Sequence, residues 1–209
     1  QGFPNFKSDQ LLIDLVSRAM NDGYNQYAPM AGDMELRKVI SEKIEALHGR
    51  CYNPQTEITI TAGATQAIFT AISATIHKGD EVVIFKPAYD CYEPTINLFG
   101  GVVVPIQLAA PEYTINWNQV SEVISSKTKM IIINSPHNPS GMVFSENDMF
   151  QLQLLVEKHN LLVISDEVYE HIIFEGNQHH SAAKFSKLAD KSFIVASFGK
   201  TFHNTGWKV

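Results

Sequence analysis

The 209 residues carry 16 Lys and Arg against 22 Asp and Glu, a net charge of −6, and 44% of them are hydrophobic. That acidic balance excludes nucleic acid and anionic membranes as main partners, and no apolar run reaches the ~18 residues of a membrane span. Two cysteines, Cys51 and Cys91, show neither metal-site spacing nor a disulfide framework, and no signal-peptide pattern opens the chain. They read as packing thiols of a soluble protein in the reducing cytoplasm.

The chain is expected to begin with a helix from Ser8 to about Asp22, with Leu11, Leu12, Leu15, Val16 and Ala19 on one face. Asn25 to Gly32 is irregular. Asp33 then caps a helix running to Leu47, whose apolar positions are Leu36, Val39, Ile40, Ile44 and Leu47. The charges at Glu35, Arg37, Lys38, Glu42 and Lys43 read as its wet face. From there short apolar runs recur at Ile58–Thr61, Val82–Phe85, Val102–Ile106, Met130–Ile133, Leu161–Ile164 and Phe193–Ala196. Helix-length amphipathic segments separate several of them, among them Ser145 to Lys158 with a Ser145-x-x-Asp148 capping pattern. Continuous Val/Ile strands interleaved with helices predict an α/β fold: a mostly parallel sheet covered by helices on both faces. Gln1-Gly2-Phe3-Pro4 opens without methionine and Trp207-Lys208-Val209 stops as a further strand begins, so the chain reads as a fragment of a longer one.

In sheets of this kind ligands sit at the carboxyl ends of the strands, and the chemistry-bearing residues fall there. Ala62-Gly63-Ala64-Thr65 follows the first run and opens a helix whose free amides suit a phosphate. Lys86-Pro87-Ala88-Tyr89 places an aromatic ring after the second. Asn134 to Gly141, Asn-Ser-Pro-His-Asn-Pro-Ser-Gly, forms a proline-stiffened turn carrying Asn138. Asp166 ends a buried strand, where a carboxylate is costly unless it meets a cation. Tyr169 follows it, and Ser197-Phe198-Gly199-Lys200 follows the last run. An amine, a buried carboxylate, hydroxyl and amide donors and a phosphate seat are the parts needed to hold pyridoxal phosphate.

Taken singly, each has a bland alternative: a packing glycine turn, a rim tyrosine, a turn asparagine, a structural salt bridge. Ser197-x-x-Lys200 also fits the Ser-x-x-Lys of penicillin-binding proteins and serine β-lactamases. Ser165-Asp166-Glu167 and Lys200-Thr201-Phe202 do not supply that family's other two elements. His179-His180 reads as a solvated loop pair, and no metal is expected. Glu167 and Glu170 flank the Asp166–Tyr169 pair with nothing but proximity to recommend them as acid and base.

Order and spacing make the chain resemble a fold type I pyridoxal-phosphate aminotransferase of class I/II. Within that group it is similar to the kynurenine–oxoglutarate and methionine aminotransferase branch. The resemblance rests on Gln1-Gly2-Phe3-Pro4, Asn25-Gln26-Tyr27, Tyr89-Asp90-Cys91-Tyr92-Glu93-Pro94, Asn134 to Gly141, Ser165 to Glu170 and Ser197 to Val209. It implies that residues 1–24 belong partly to a small domain, otherwise largely missing, and that 25–209 are an incomplete cofactor-binding large domain. It implies roles as well. Lys200 holds the cofactor covalently and moves the substrate proton, Asp166 protonates the ring nitrogen, and Tyr169 and Asn138 hydrogen-bond the phenolic oxygen. Tyr89 stacks on the ring, while Ser197, Lys208 and the amides of Ala64 and Thr65 hold the phosphate. Tyr27 reaches the phosphate of a partner subunit in a homodimer, and Gly2 and Asn138 lie near the substrate carboxylate. The peptides before Pro87 and Pro139 become candidates for cis bonds.

The implied reaction is transfer of an amino group from a methionine, glutamine or aromatic amino acid to a 2-oxo acid. A cysteine-S-conjugate or cystathionine β-lyase and a non-catalytic cofactor-binding homologue are the alternatives. The family's carboxylate-binding arginine is expected outside this chain, because Arg18, Arg37 and Arg50 lie in no suitable motif.

Overall fold

The computed structural model describes residues 4–174 and 176–209. They fall into two compact units: Ala64–Ala196, and the described residues up to Gly63 together with Ser197–Val209.

Ala64–Ala196 contains the sheet. Five strands, β1 (Glu81–Lys86), β2 (Val102–Gln107), β3 (Thr128–Asn134), β4 (Leu162–Asp166) and β5 (Ser192–Val195), lie in the order β2-β1-β3-β4-β5. All four pairings are parallel. The apolar runs are continuous because both faces of the sheet are covered, so successive side chains enter opposite cores. Val82, Ile84, Met130, Ile132 and Ile164 pack with α3 (Ala64–Thr75) and α4 (Tyr92–Leu98). Val83, Phe85, Ile131, Ile133 and Val163 pack on the other side with α5 (Trp117–Val123), α6 (Glu146–His159) and α7 (Ser186–Ala189). The expected capping box opens α6: Ser145 Oγ accepts from the Asp148 amide at 3.1 Å and Asp148 Oδ2 from the Ser145 amide at 2.8 Å. The strand order reverses direction between β1 and β3, the point at which such sheets leave a crevice at their carboxyl ends.

The other unit is helical. In α1 (Gln10–Asn21) Asp9 caps the first turn, accepting from the Leu11 amide, and no residue of the helix is buried. Leu11, Leu15, Val16 and Met20 stand exposed, although the stripe has the predicted spacing. In α2 (Met34–His48) Asp33 is the cap, accepting from Leu36, and Gly49 ends the helix in the left-handed region. The expectation of a wholly wet charged face fails at Arg37. That side chain is buried and its guanidinium donates to the carbonyls of Pro54 at 2.9 Å and Gln55 at 3.4 Å, tying the following loop to the helix. Cys51, expected to pack, is exposed.

Ile58–Thr61 is also not a strand. The Ile60 amide donates to Ala31 O at 3.0 Å, Thr61 O accepts from the Gly63 amide at 2.8 Å, and the segment joins no sheet among the described residues. A close approach to Gly32 holds it instead. Gly32 has φ +94°, and a Cβ there would lie 2.3 Å from Ile60 Cγ1, so only glycine fits. The short helix α8 (Phe198–Thr201) and a 3₁₀ turn at Thr205–Trp207 complete the unit. Ser8 Oγ donates to His203 O at 2.6 Å, fastening the residues before α1 to this segment.

Candidate active site

Four strand ends of the sheet-bearing unit, at Lys86, Asn134, Asp166 and Val195, define the edge where the motif residues gather. Asn134 and Asp166 are register partners. The Asn134 side-chain amide donates to Asp166 O at 2.9 Å, and its oxygen accepts from the Asn138 amide at 2.7 Å. One buried asparagine therefore fixes the turn carrying Asn138 against the end of β4. The Asn138 side chain in turn hydrogen-bonds the Tyr169 hydroxyl. Asn138, Asp166 and Tyr169, separated in sequence, are thus joined in one network. The peptides before Pro87 and Pro139 are cis, as expected, and so are those before Pro111 and Pro136.

The Asp166 side chain is buried, and among the described residues no basic side chain pairs with it. Its Oδ2 accepts from the Tyr92 hydroxyl at 2.5 Å and its Oδ1 from the Val168 amide at 3.3 Å. Burial pushes the carboxyl up from 3.8 to about 6, against the pull of those two donors. Holding it ionised at neutral pH therefore costs the fold about 3 kcal/mol. A cation brought to this carboxylate would recover that energy.

Tyr92 opens α4, is itself buried, and meets Tyr89 edge-on with ring centroids 5.9 Å apart. Tyr89 is exposed at the same strand-end loop. Cys91 is half-buried, its thiol pushed up to about 12 by burial and by the neighbouring Asp166 and Asp90 carboxylates, so it remains protonated. His137, buried between the two proline loops, contacts Ser140 Oγ through Nδ1 at 2.7 Å and hydrogen-bonds the Pro87 carbonyl. Ala64 and Thr65 lie in the first turn of α3, after Gly63 at φ +80°, and no acidic residue occupies that turn.

In the other unit, Lys200 lies on α8, five residues beyond the end of β5, with Ser197 at the N-cap position. The backbone at Gly199 is closely packed, since a Cβ there would lie 3.1 Å from Thr205 Cα. Lys208 is exposed, in the left-handed conformation after the 3₁₀ turn. Tyr27 is fully exposed in the loop between α1 and α2, beside exposed Tyr24 and Met30. Gly2 lies outside the described residues.

The aminotransferase class I and II family model matches residues 4–209. The chain belongs to that family. It is 43% identical over 209 residues to the methionine aminotransferase of Escherichia coli K12, covering 100% of this chain and 54% of that one. It is 36% identical to the kynurenine–oxoglutarate transaminase of Dictyostelium discoideum, covering 52% of that chain. Among solved structures, an Escherichia coli protein with a methionine aminotransferase function superposes with TM-score 0.97 at 42% identity, over 100% of this chain and 55% of that one. The N-succinyldiaminopimelate aminotransferase of Mycobacterium tuberculosis gives 0.96 at 34% identity, over 100% and 55%. The chain spans about half the length of the curated relatives it matches.

Class I and II aminotransferases use pyridoxal phosphate, and the residues at the sheet edge fit it. A buried carboxylate lacking a cation suits a protonated pyridine nitrogen. The Asn138–Tyr169 pair offers donors to a phenolic oxygen, and the positive end of α3, with no acidic residue in its first turn, suits a phosphate.

Two features of this strand-end edge were not read from sequence. Tyr92 is 74 residues from Asp166 in the chain, and no local pattern marks it as the carboxylate's partner. His179, expected to be solvated, has only 7% of its side chain exposed, with Nε2 2.9 Å from Glu167 Oε2. Glu167 Oε1 also accepts from Ser165 Oγ at 2.7 Å and the Ala182 amide at 2.9 Å. Glu170 offers a further oxygen within 4.8 Å. Both Glu167 oxygens are engaged within this cluster, which braces the loop after β4. Its only sequence signal is the buried position of a glutamate directly after a strand-ending aspartate.

Proposed function

We propose that this chain is the cofactor-binding part of a pyridoxal-phosphate aminotransferase that moves an amino group from an amino acid to a 2-oxo acid. The observation that carries the reading is the Asp166 carboxyl, buried at the end of β4 with no basic partner among the described residues and beside the Asn138–Tyr169 pair, in a chain of this family. The cofactor, when bound, supplies a ring that accepts electrons from the substrate Cα.

The chain's own residues then divide the work. Asp166 keeps the proton on the ring nitrogen. Tyr169 and Asn138 donate to the phenolic oxygen, and Asn138 with Gly2 lies near the substrate carboxylate. Tyr89 covers the ring face. The amides of Ala64 and Thr65, with Ser197 and Lys208, bind the phosphate; the lysine gives charge without the bidentate fork of an arginine. Lys200 would be the attachment point, and its amine, once released by substrate, would take up the proton from the substrate Cα as general base. Residues 1–24 belong partly to a small domain and 25–209 to the large one.

The methionine and kynurenine relatives support a methionine, glutamine or aromatic donor. Exposed Tyr27 supports a homodimer in which this side chain serves the partner's phosphate. Cys51 and Cys91, both free thiols, support residence in the cytoplasm, and no helix among the described residues is long and apolar enough to cross a membrane.

The test is to add pyridoxal phosphate and a panel of amino acids with 2-oxo acids to the full-length protein in which these residues occur. Exchange of the amino group with methionine or an aromatic donor is the expected result. Release of pyruvate and ammonia would indicate a β-lyase, and no spectral response to any amino acid would indicate a binding module.

A further inference from the structure

We propose that Tyr92 is a positioning residue that holds the Asp166 carboxylate in one orientation and restrains its affinity for a proton, so that the proton stays on the cofactor's ring nitrogen. The inference rests on the functional reading above and deepens it.

Tyr92 touches both Asp166, through a 2.5 Å hydrogen bond, and Tyr89, through the edge-on ring contact. Its ring is buried in the core formed by α3, α4 and the sheet, so the hydroxyl has little freedom to leave. Lys86 Nζ, 2.6 Å from Glu93, ties the end of β1 to the first turn of α4 and helps set the helix that carries it. The Asn134 amide and the Ser135 N–H hold the Asp166 backbone carbonyl, leaving its side chain to be oriented by Tyr92 and the Val168 amide alone.

A donor on one carboxylate oxygen stabilises the ionised form. Removing it makes the carboxylate more basic and draws the shared proton away from a bound ring nitrogen. The titratable groups around this carboxylate are Tyr92 and Cys91 at the start of α4 and Glu167 and Tyr169 after β4. Burial and Asp166 itself keep the Tyr92 hydroxyl protonated, and therefore a donor, throughout the accessible range.

The experiment compares wild type with Tyr92→Phe in the full-length protein, both without and with pyridoxal phosphate. Without cofactor, the pH dependence of unfolding is measured from pH 4 to 8. Asp166 binds its proton more tightly folded than unfolded, so it weakens the fold as pH rises from 3.8 to about 6. In Tyr92→Phe that decline should continue about one unit higher, and the difference should vanish in an Asp166→Asn background. Burial also lowers the His137 imidazole, whose partners are Ser140 and the Pro87 carbonyl and not Tyr92, so its contribution is common to both proteins. With cofactor, the dissociation constant should rise roughly tenfold, and ¹⁵N-labelled cofactor should show a less protonated ring nitrogen.

Parallel stability curves would overturn the proposal, because a purely structural role lowers stability equally at every pH. A shifted curve with unchanged cofactor affinity and ring protonation would overturn it too, while leaving the aminotransferase reading intact. A wild type that binds no cofactor would overturn both, and only that outcome lies in the wild type itself. If Tyr92→Phe does not fold, the Tyr92 hydroxyl proton in wild type must move in the NMR spectrum when cofactor binds. An unmoved line would overturn the proposal.

Discussion

Asn134 and Asp166 sit opposite one another at the carboxyl ends of β3 and β4, and the asparagine amide grips the aspartate carbonyl at 2.9 Å. The same asparagine holds the Asn138 amide through its side-chain oxygen. Two strands and a turn are thereby locked at the place where the buried carboxyl stands. Asn134→Ala should weaken cofactor binding several-fold while Lys200 stays intact, measured by equilibrium dialysis of pyridoxal phosphate. Unchanged affinity would show that the turn holds its shape without this clamp.

Asp166→Ala removes the carboxylate assigned to the ring nitrogen. The expected loss in kcat/KM is at least ~10³-fold, about 4 kcal/mol of transition-state stabilisation. The apoprotein should meanwhile become more stable at neutral pH, since a strained buried charge is gone. A variant within tenfold of wild-type activity would remove Asp166 from this role.

Lys200→Ala should abolish transamination and the cofactor's covalent attachment, with noncovalent binding retained. Borohydride treatment of wild type followed by peptide mapping should tag Lys200. A tag on another lysine would reassign the attachment point.

The Glu167–His179 pair predicts a response to acid. Burial alone would raise the Glu167 carboxyl, but the His179 hydrogen bond and charge, the Ala182 amide and the Ser165 hydroxyl hold it below the usual range. A carboxyl lowered on folding contributes stability that is complete above its unfolded value of 4.5 and is lost as pH falls through the lower folded value. His179→Ala removes one of three donors from a buried carboxylate, Ser165 and the Ala182 amide remaining, and should cost about 1–3 kcal/mol at pH 7, shrinking in acid. Urea unfolding at pH 7 and pH 4 measures both.

Gly32→Ala places a Cβ 2.3 Å from Ile60 Cγ1 at a φ of +94°. Overpacking and backbone strain together should destabilise the protein by about 2–4 kcal/mol. A thermal midpoint indistinguishable from wild type would show that the 58–61 segment moves aside freely.

Much of the fold was determined by sequence alone. β1, β3 and β4 could be read because strands buried on both faces are apolar at nearly every position, which leaves continuous apolar runs at 82–85, 130–133 and 161–164, while the partly exposed β2 and β5 were legible from the β-branched and aromatic residues at 102–106 and 193–196. The caps at Asp33 and Ser145 are equally local, since each satisfies amides within three residues. The same local criteria misjudged Ile58–Thr61, because an apolar run becomes a strand only where a neighbour offers its hydrogen bonds. They misjudged Arg37 as well, because a charged side chain on a helix is exposed only if no loop folds over it. The order of the motif residues was likewise written in the chain. Tertiary structure alone decided which of them touch. Tyr92 meets Asp166 across 74 residues and His179 meets Glu167 across 12, through contacts that strand order and helix packing create and no sequence periodicity encodes.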